Sequence, residues 1–170
     1  MIKTVFMLES EESACARERI FPHVSTFERY GVDAYPMVAP PSERGKRKMT
    51  DDISHFDMVV IEGFAPRAGD MKRMRAKCRV IGCDWCGEGA SGGGLLRDLR
   101  LQTLLNSVDF VTVWDAAGEK YLGGKHKRVY VVGAEGRISE EAISQWAAII
   151  RRMHEEIKSS RGGPGKVETP

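Results

Sequence analysis

Two acidic residues stand at the ends of apolar runs in the middle of the chain. Glu62 follows the run Phe56–Ile61, and Asp84 comes next to last in the run Arg79–Trp85. If both runs are strands of a parallel sheet, these acids lie in the crevice where open α/β sheets bind their ligands. Acids buried at such an edge act as general bases or bind hydroxyl groups. The pattern therefore predicts Glu62 and Asp84 as catalytic residues.

Two arginines follow the first apolar run, Ile2–Leu8. Arg17 and Arg19 open the first helix just beyond the carboxyl end of this strand. Guanidinium groups at that position can clamp a phosphate or a carboxylate with bidentate geometry. A solvated helix face explains them equally well. It is the family resemblance given below, and not their position, that implies substrate binding by both.

A glycine-rich run, Gly87–Gly94, separates a strand from a helix. Positions 87, 89 and 92 fit the G-x-G-x-x-G pattern, and Asp115 stands 23 residues after Gly92. This pattern can hold a pyrophosphate on backbone N–H groups, but here it follows the fourth strand and not the first. A loop that moves over a ligand, an anion cradle and a plain turn are all compatible with it. The predicted substrate-binding positions are Gly92, Gly93 and Gly94.

The stretch Val108–Gly136 is the clearest βαβ unit. A buried strand, Phe110–Trp114, leads through Asp115 into a short helix, and a second apolar strand follows at Val129–Val132. So short a connection with a helix implies that the two strands are parallel. Asp115 and Glu135 both follow strand ends, so we expect both at the ligand crevice.

The cysteines do not form a complete metal site. Cys78, Cys83 and Cys86 have the spacing C-x4-C-x2-C, and Cys15 lies far upstream. Tetrahedral zinc takes four ligands, of which a C-x2-C pair supplies half. Cysteines that flank a buried strand usually serve as small apolar residues. The sequence therefore predicts no metal and no cofactor, and its cysteine pattern favours reduced thiols over a disulfide scaffold.

The elements that carry these residues alternate regularly between strands and helices. Six apolar runs of strand length predict a single α/β, doubly wound, Rossmann-like domain with a six-stranded parallel sheet and helices on both faces. Residues 42–55 are polar and predict a loop. Residues 139–158 keep i, i+3, i+4 spacing and predict an extra C-terminal amphipathic helix that packs back on the domain. We expect the domain to cover residues 1–158 and a flexible tail to cover 159–170.

Composition excludes several classes of protein. The chain has 170 residues, of which 42% are hydrophobic and 29% charged, with a formal net charge of +2. This small basic excess argues against a dedicated nucleic-acid module. No apolar run approaches the roughly 20 residues that span a bilayer, and no secretory signal pattern opens the chain. We expect a soluble cytoplasmic protein with no membrane span.

Several of these motifs together resemble a known family. The first helix carries Arg17-x-Arg19-x-x-Pro22 and closes on Gly31, similar to "aRyR...P...L...G". Phe56–Ile61 is similar to a "yDvvviq" strand, and Arg79–Trp85 to "vvyDiDD", with Asp84 on one of the acids. The unit 108–136 is similar to "aDaVtvsS…eyL……kv.viPNG", although its last turn, residues 133–136, lacks the proline and asparagine. The family is the retaining, family-4-like GT-B glycosyltransferases, and the resemblance covers their N-terminal, acceptor-side domain.

The resemblance implies an activity and a set of partners. The chain would be the acceptor-side half of a glycosyltransferase that moves a hexosyl group from a nucleotide-sugar to an acceptor. The donor-binding domain is expected on a partner chain or in a homo-oligomer, because the sequence stops where that domain would begin. Two alternatives stay open. One is a non-catalytic binding or structural module on the same scaffold, and the other is an independent nucleotide-binding domain that uses Gly87–Gly94.

Overall fold

The fold is described from a computed structural model, which covers residues 1–62, 64–85, 95–132 and 138–161. At residues 43, 46, 95–98 and 161 only the backbone is described. The strands are β1 (Ile2–Leu8), β2 (Val32–Val38), β3 (Met58–Glu62), β4 (Val80–Trp85), β5 (Phe110–Val113) and β6 (Val129–Val131). The helices are α1 (Val24–Arg29), α2 (Glu43–Asp52), α3 (Ala68–Lys77), α4 (Leu95–Ser107), α5 (Ala116–Gly123) and α6 (Glu140–Arg161).

The six strands form one parallel sheet in the order β2-β1-β3-β4-β5-β6. The predicted α/β fold class and the six-stranded parallel sheet are therefore confirmed. The order has β1 between β2 and β3, as in the flavodoxin-like order 2-1-3-4-5, whereas the classic Rossmann order places β4 beside β1. The chain crosses the sheet between β2 and β3, so the point where the strand order reverses lies between β1 and β3.

Two helices cover one face of the sheet, which we call the α6 face. Its core joins side chains from alternate strand positions, such as Phe6, to Phe27 of α1 and Trp146 of α6. The Trp146 ring packs edge-on against Phe6, Phe27 and Trp114, with ring centroids 5.3 Å apart in each pair. The predicted C-terminal amphipathic helix is thus confirmed, and it closes this face.

The other four helices, α2 to α5, cover the opposite face, which we call the methionine face. Its core contains Met7 of β1, Met49 of α2, and Met71 and Met74 of α3, together with Leu101, Leu104 and Leu105 of α4. Each of these methionines is at most 7% exposed. Because helices cover both faces of the parallel sheet, side chains on both faces of each strand are buried. The sequences of most strands are therefore continuous apolar runs.

Two local predictions differ from the structure. Most of the stretch predicted as a loop over 42–55 forms α2, which the Ser42 hydroxyl caps by accepting a hydrogen bond from the Gly45 N–H at 3.1 Å. The first helix is irregular, because a π-helical turn (Ala16–Ile20) and a 3₁₀ turn (Phe21–His23) precede α1. Pro22 lies in the 3₁₀ turn, so the regular helix begins only after the residue that cannot donate a backbone hydrogen bond.

Among the described residues, no helix combines the length and the apolar character needed to cross a membrane.

Candidate functional site

The carboxyl ends of four strands bring one row of side chains together. Leu8 of β1 is in register with Glu62 of β3, Glu62 with Asp84 of β4, and Asp84 with Thr112 of β5. Parallel neighbours in register point to the same face, and Leu8 belongs to the core of the α6 face. Glu62 and Asp84 are therefore adjacent on this face, beside the reversal of strand order between β1 and β3.

Asp84 is held by three side chains from two other elements. Its Oδ1 accepts hydrogen bonds from the Thr112 hydroxyl at 2.7 Å and from the Trp114 Nε1–H at 2.9 Å. Its Oδ2 is 3.4 Å from the Arg19 guanidinium, which forms an ion pair with it. Asp84 and Glu62 are each 1% exposed. We call Arg19, Glu62, Asp84, Thr112 and Trp114 the carboxylate cluster.

Arg19 supplies the positive charge of the cluster. It comes from the π-helical turn that follows β1, and its side chain is 14% exposed. The guanidinium carbon lies 4.5 Å from the centroid of the Trp114 ring, which gives a cation–π contact in addition to the ion pair with Asp84. A desolvated guanidinium over a tryptophan face contributes on the order of 2 kcal/mol. The positive charge is thereby fixed beside the two carboxyl groups.

The two carboxyl groups differ in protonation. Burial, with a smaller contribution from the negative charge of Asp84, raises the pKa of Glu62 to about 8, although Arg19 acts in the opposite direction. Burial also raises the pKa of Asp84, while Arg19, Thr112 and Trp114 lower it. Adjacent carboxylates do not both ionise easily, and donors stabilise the ionised form. Asp84 has these three donors, so we assign the charge to Asp84 and the proton to Glu62 at neutral pH.

The free cysteines among the described residues take no part in this chemistry. Cys78 and Cys83 are free and buried, and burial raises the pKa of both thiols. A thiol with a raised pKa is a poor nucleophile and a poor metal ligand. Cys15 is in a disulfide, which differs from the reduced state that the sequence favoured. The described residues contain no group of three or more His, Cys, Asp or Glu that could hold a metal ion.

Three of the predicted site residues lie in the cluster. Glu62, Asp84 and Arg19 are brought together, and their roles in catalysis or binding stay predictions. Arg17 instead pairs with Glu12 on the surface. Asp115 is exposed and caps α5, since its Oδ1 accepts a hydrogen bond from the Gly118 N–H at 2.6 Å. The predicted positions Gly92, Gly93, Gly94 and Glu135 lie outside the described residues.

Sequence reasoning missed Thr112 and Trp114. Both sit in or just after β5, a strand whose apolar pattern gives no reason to single out a threonine or a tryptophan. The register between β4 and β5 makes Thr112 the neighbour of Asp84. The sequence does contain an acid near the end of one strand and a polar residue near the end of the next. This pattern indicates a contact only when the two strands are known to be neighbours in the sheet.

Two flavoproteins are among the solved structures that resemble this chain. One is FerB from Paracoccus denitrificans, a flavoenzyme NAD(P)H:(acceptor) oxidoreductase, at 12% identity and a TM-score of 0.42, covering 92% of this chain and 99% of that one. The other is a flavodoxin, WrbA-like protein from Agrobacterium tumefaciens, at 12% identity and a TM-score of 0.36, covering 93% and 100%. No protein-family model matches, and no curated protein matches. Likenesses of this degree carry no ligand or reaction over to this chain.

The prediction of a GT-B glycosyltransferase half is wrong. The order of the strands, with β3 beside β1, departs from the classic Rossmann sheet, and the two solved structures reported above are flavoproteins. The nucleotide-sugar donor, the sugar acceptor and the donor-binding partner chain were inferred from that resemblance and are withdrawn with it. The motifs misled because short apolar strands that end in an acid recur in many α/β sheets.

The turn after β1 does not fit the phosphate of a flavin nucleotide. Phosphates in such sheets bind to N–H groups at the start of a helix. Here the turn carries three exposed carboxylates, Glu9, Glu11 and Glu12. The Ser13 hydroxyl already accepts a hydrogen bond from the Ala16 N–H, at 3.0 Å. The negative charge of these side chains opposes an anion at this position. The Ala16 N–H is also already used by Ser13.

Proposed function

We propose that this chain binds a small molecule at the carboxyl edge of its sheet and that Glu62 exchanges a proton with that molecule. The observation that carries the proposal is the buried pair of carboxyl groups, Glu62 and Asp84, adjacent in register beside the reversal of strand order. Open α/β sheets bind their ligands at this edge. A carboxyl group with a pKa near neutrality can both donate and accept a proton at physiological pH.

Packing alone is a weak explanation for such a pair. Removing a carboxylate and a guanidinium from water costs several kcal/mol per ion, and well-packed apolar residues are often as stable. Strongly perturbed carboxyl groups cluster at functional sites. Two acids whose environments separate their protonation states are the usual arrangement for acid–base work. The Glu62–Asp84 pair, with Arg19 beside it, has this arrangement.

The charges of the cluster indicate the class of ligand. A protonated carboxyl such as that of Glu62 can donate its O–H to a carbonyl or hydroxyl oxygen, and the three donors around Asp84 favour the ionised form of that residue. The exposed acids of the turn after β1 disfavour a phosphate there. We therefore expect a neutral ligand that carries carbonyl or hydroxyl groups, with Glu62 as the general acid and Arg19 stabilising the carboxylate left after proton transfer.

A thermal-shift panel tests the proposal on the full chain. Neutral carbonyl and hydroxyl compounds are titrated at pH 6 and pH 9, with flavin mononucleotide and nucleotides for comparison. A ligand at 100 times its Kd stabilises a folded protein by roughly 2.7 kcal/mol. We expect a neutral compound to stabilise the wild type more at pH 6 than at pH 9. The variant Glu62→Gln should lose this pH dependence, and the matched surface variant Glu141→Gln should keep it.

A folded protein that no compound stabilises would contradict the proposal. So would a ligand whose effect is the same at both pH values in the wild type and in Glu62→Gln.

A second candidate is a non-catalytic module, and one observation favours it. Trp114 is 3% exposed and packs edge-on against Trp146 of α6, so this side chain and the last helix fill part of the α6 face. In that case the carboxylate cluster has a structural role alone, which is to connect β4, β5 and the π-helical turn that carries Arg19. This candidate predicts that Glu62→Gln changes the free energy of unfolding while no compound in the panel binds.

A further inference from the structure

A cavity of about 140 Å³ lies on the methionine face, on the opposite side of the sheet from the carboxylate cluster. It opens near the carboxyl ends of β1, β2 and β3, between α2, α3 and α4. Its apolar wall includes Met7, Met49, Met74 and Phe64. The three methionines are between 1% and 7% exposed, so they belong to the core as well as to the cavity.

The size of the cavity suits a single ring. An apolar protein cavity of about 150 Å³ is large enough to bind benzene. Methionine side chains adapt their shape, and their sulfur atoms make favourable contacts with aromatic rings. Met7, Met49 and Met74 come from three different elements and surround the cavity. An aromatic ring is therefore the group that this wall is suited to hold.

Two arginines line the rim of the cavity. They are Arg67 and Arg100, and both are exposed. The acid in the lining, Asp70, is neutralised by Arg73, whose guanidinium lies 2.6 Å from the Asp70 carboxylate. Arginine matches a carboxylate with two parallel hydrogen bonds. An apolar floor under a cationic rim complements a ring that carries one carboxylate.

We propose that this cavity binds a small aromatic carboxylate, with its ring among the three methionines and its carboxylate at Arg100. The site is separate from the carboxylate cluster, because the two lie on opposite faces of the sheet. The cluster offers a proton to a neutral ligand, whereas the cavity offers a cation to an anionic one.

Benzoate is the probe, and the experiment follows the methyl carbons of ¹³C-methyl-methionine in the full chain. The chain has eight methionines, which single Met→Leu variants assign. We expect benzoate to shift the Met7, Met49 and Met74 methyl signals by ring current and to leave Met58 and Met153, on the α6 face, unchanged. Benzyl alcohol and benzylamine, which lack the carboxylate, should bind more weakly.

Variants at the rim separate charge from packing. Arg100→Gln should raise the Kd for benzoate about tenfold, which is about 1.4 kcal/mol. Arg100→Lys should recover part of the loss, since it keeps the charge without the planar fork. Arg151→Gln, the matched change on α6, should bind like the wild type. Glu62→Gln should also bind benzoate with the wild-type Kd. A negative result for benzoate would therefore leave the proposal about Glu62 untouched, and the reverse also holds.

Three results would overturn the inference. One is the absence of methionine shifts up to millimolar benzoate, and another is binding of benzylamine as tight as that of benzoate. The third is an Arg100→Gln variant that binds benzoate as well as Arg151→Gln does.

Discussion

Glu62 and Asp84 show how neighbouring residues of the same chemistry receive different properties. Both carboxyl groups are buried, and both pKa values are raised, chiefly by that burial. Asp84 has hydrogen bonds from Thr112 and Trp114 and an ion pair with Arg19, and all three favour its ionised form. Its negative charge then disfavours ionisation of Glu62. The proton is held on Glu62 because the stabilising donors converge on Asp84.

The first prediction concerns stability and pH. The pKa of Glu62 is about 8 in the folded protein against 4.5 ordinarily. Between these values the unfolded chain has lost the proton that the folded chain keeps, so this residue makes the free energy of unfolding fall as pH rises. The loss should be on the order of a few kcal/mol between pH 4.5 and pH 8. Urea unfolding at several pH values measures it.

In Glu62→Gln this fall should disappear, so the variant should gain stability relative to the wild type as the pH increases towards 8. Glu141→Gln, a change on the exposed surface of α6, should follow the wild type. Parallel curves for the wild type and Glu62→Gln would show that Glu62 has an ordinary pKa.

At the scale of elements, the strands were predictable and their order was not. The run that forms β1 matches the predicted range, because a continuous apolar run bounded by polar turns leaves little choice. The position of β3 beside β1 depends on long-range packing that no local pattern records. The helix α2 was missed because most of its residues are charged. In the described part of this region, Met49 of α2 and the adjoining Ile53 are the large apolar side chains buried in the core of the methionine face. Two such residues do not make a helical apolar pattern.

The candidate site was predictable to the same extent. Glu62, Asp84 and Arg19 could be found because each follows or precedes a strand end, which is a local feature. Their assembly into one cluster with Thr112 and Trp114 depends on the register between strands. The misleading resemblance arose from the same local features, since a strand that ends in an acid does not specify a reaction.

The second prediction concerns the pairing of β4 with β5. A Cβ added at Gly82 would lie 2.3 Å from Cζ of Phe110, whose ring is fully buried. Gly82→Ala should therefore lower the free energy of unfolding by about 1–3 kcal/mol, as overpacked cores do. In the control Gly69→Ala, at the start of α3, the new methyl meets nothing within 4 Å. That variant should gain up to about 1 kcal/mol.

Urea unfolding of the two glycine variants gives both values. Adding Phe110→Leu to Gly82→Ala should recover part of the loss, because the smaller side chain relieves the close contact. Equal stabilities of Gly82→Ala and Gly69→Ala would contradict the packing described between β4 and β5.

At the scale of the whole molecule, the two faces of the sheet depend on different parts of the chain. The methionine face is covered by four helices, each of which connects two consecutive strands. Among the described residues, the α6 face is covered by the π-helical turn after β1, by α1 and by α6, whose Trp146 contacts three aromatic rings from β1, α1 and the end of β5. The last helix in the sequence therefore completes the core that lies beneath the carboxylate cluster.

The third prediction tests this dependence. Trp146 is fully buried, and its Nε1–H has no hydrogen-bond partner among the described residues. Trp146→Ala should lower the free energy of unfolding by about 3–5 kcal/mol, as other large-to-small changes in cores do. Trp146→Phe should cost less, because it keeps an aromatic ring and removes the unsatisfied donor. Thermal unfolding that ranks the two variants in the reverse order would contradict the role assigned to α6.

The most direct test of the account is a ¹³C NMR titration of the Glu62 side-chain carboxyl in the full chain. The signal is assigned by its absence in Glu62→Gln. We predict that the Glu62 carboxyl titrates with a midpoint near pH 8, far above the ordinary value of 4.5. Such a value would establish Glu62 as the group that carries a proton at the carboxyl edge of the sheet. A midpoint among the ordinary glutamates would contradict the assignment of the proton and, with it, the proposed acid–base function.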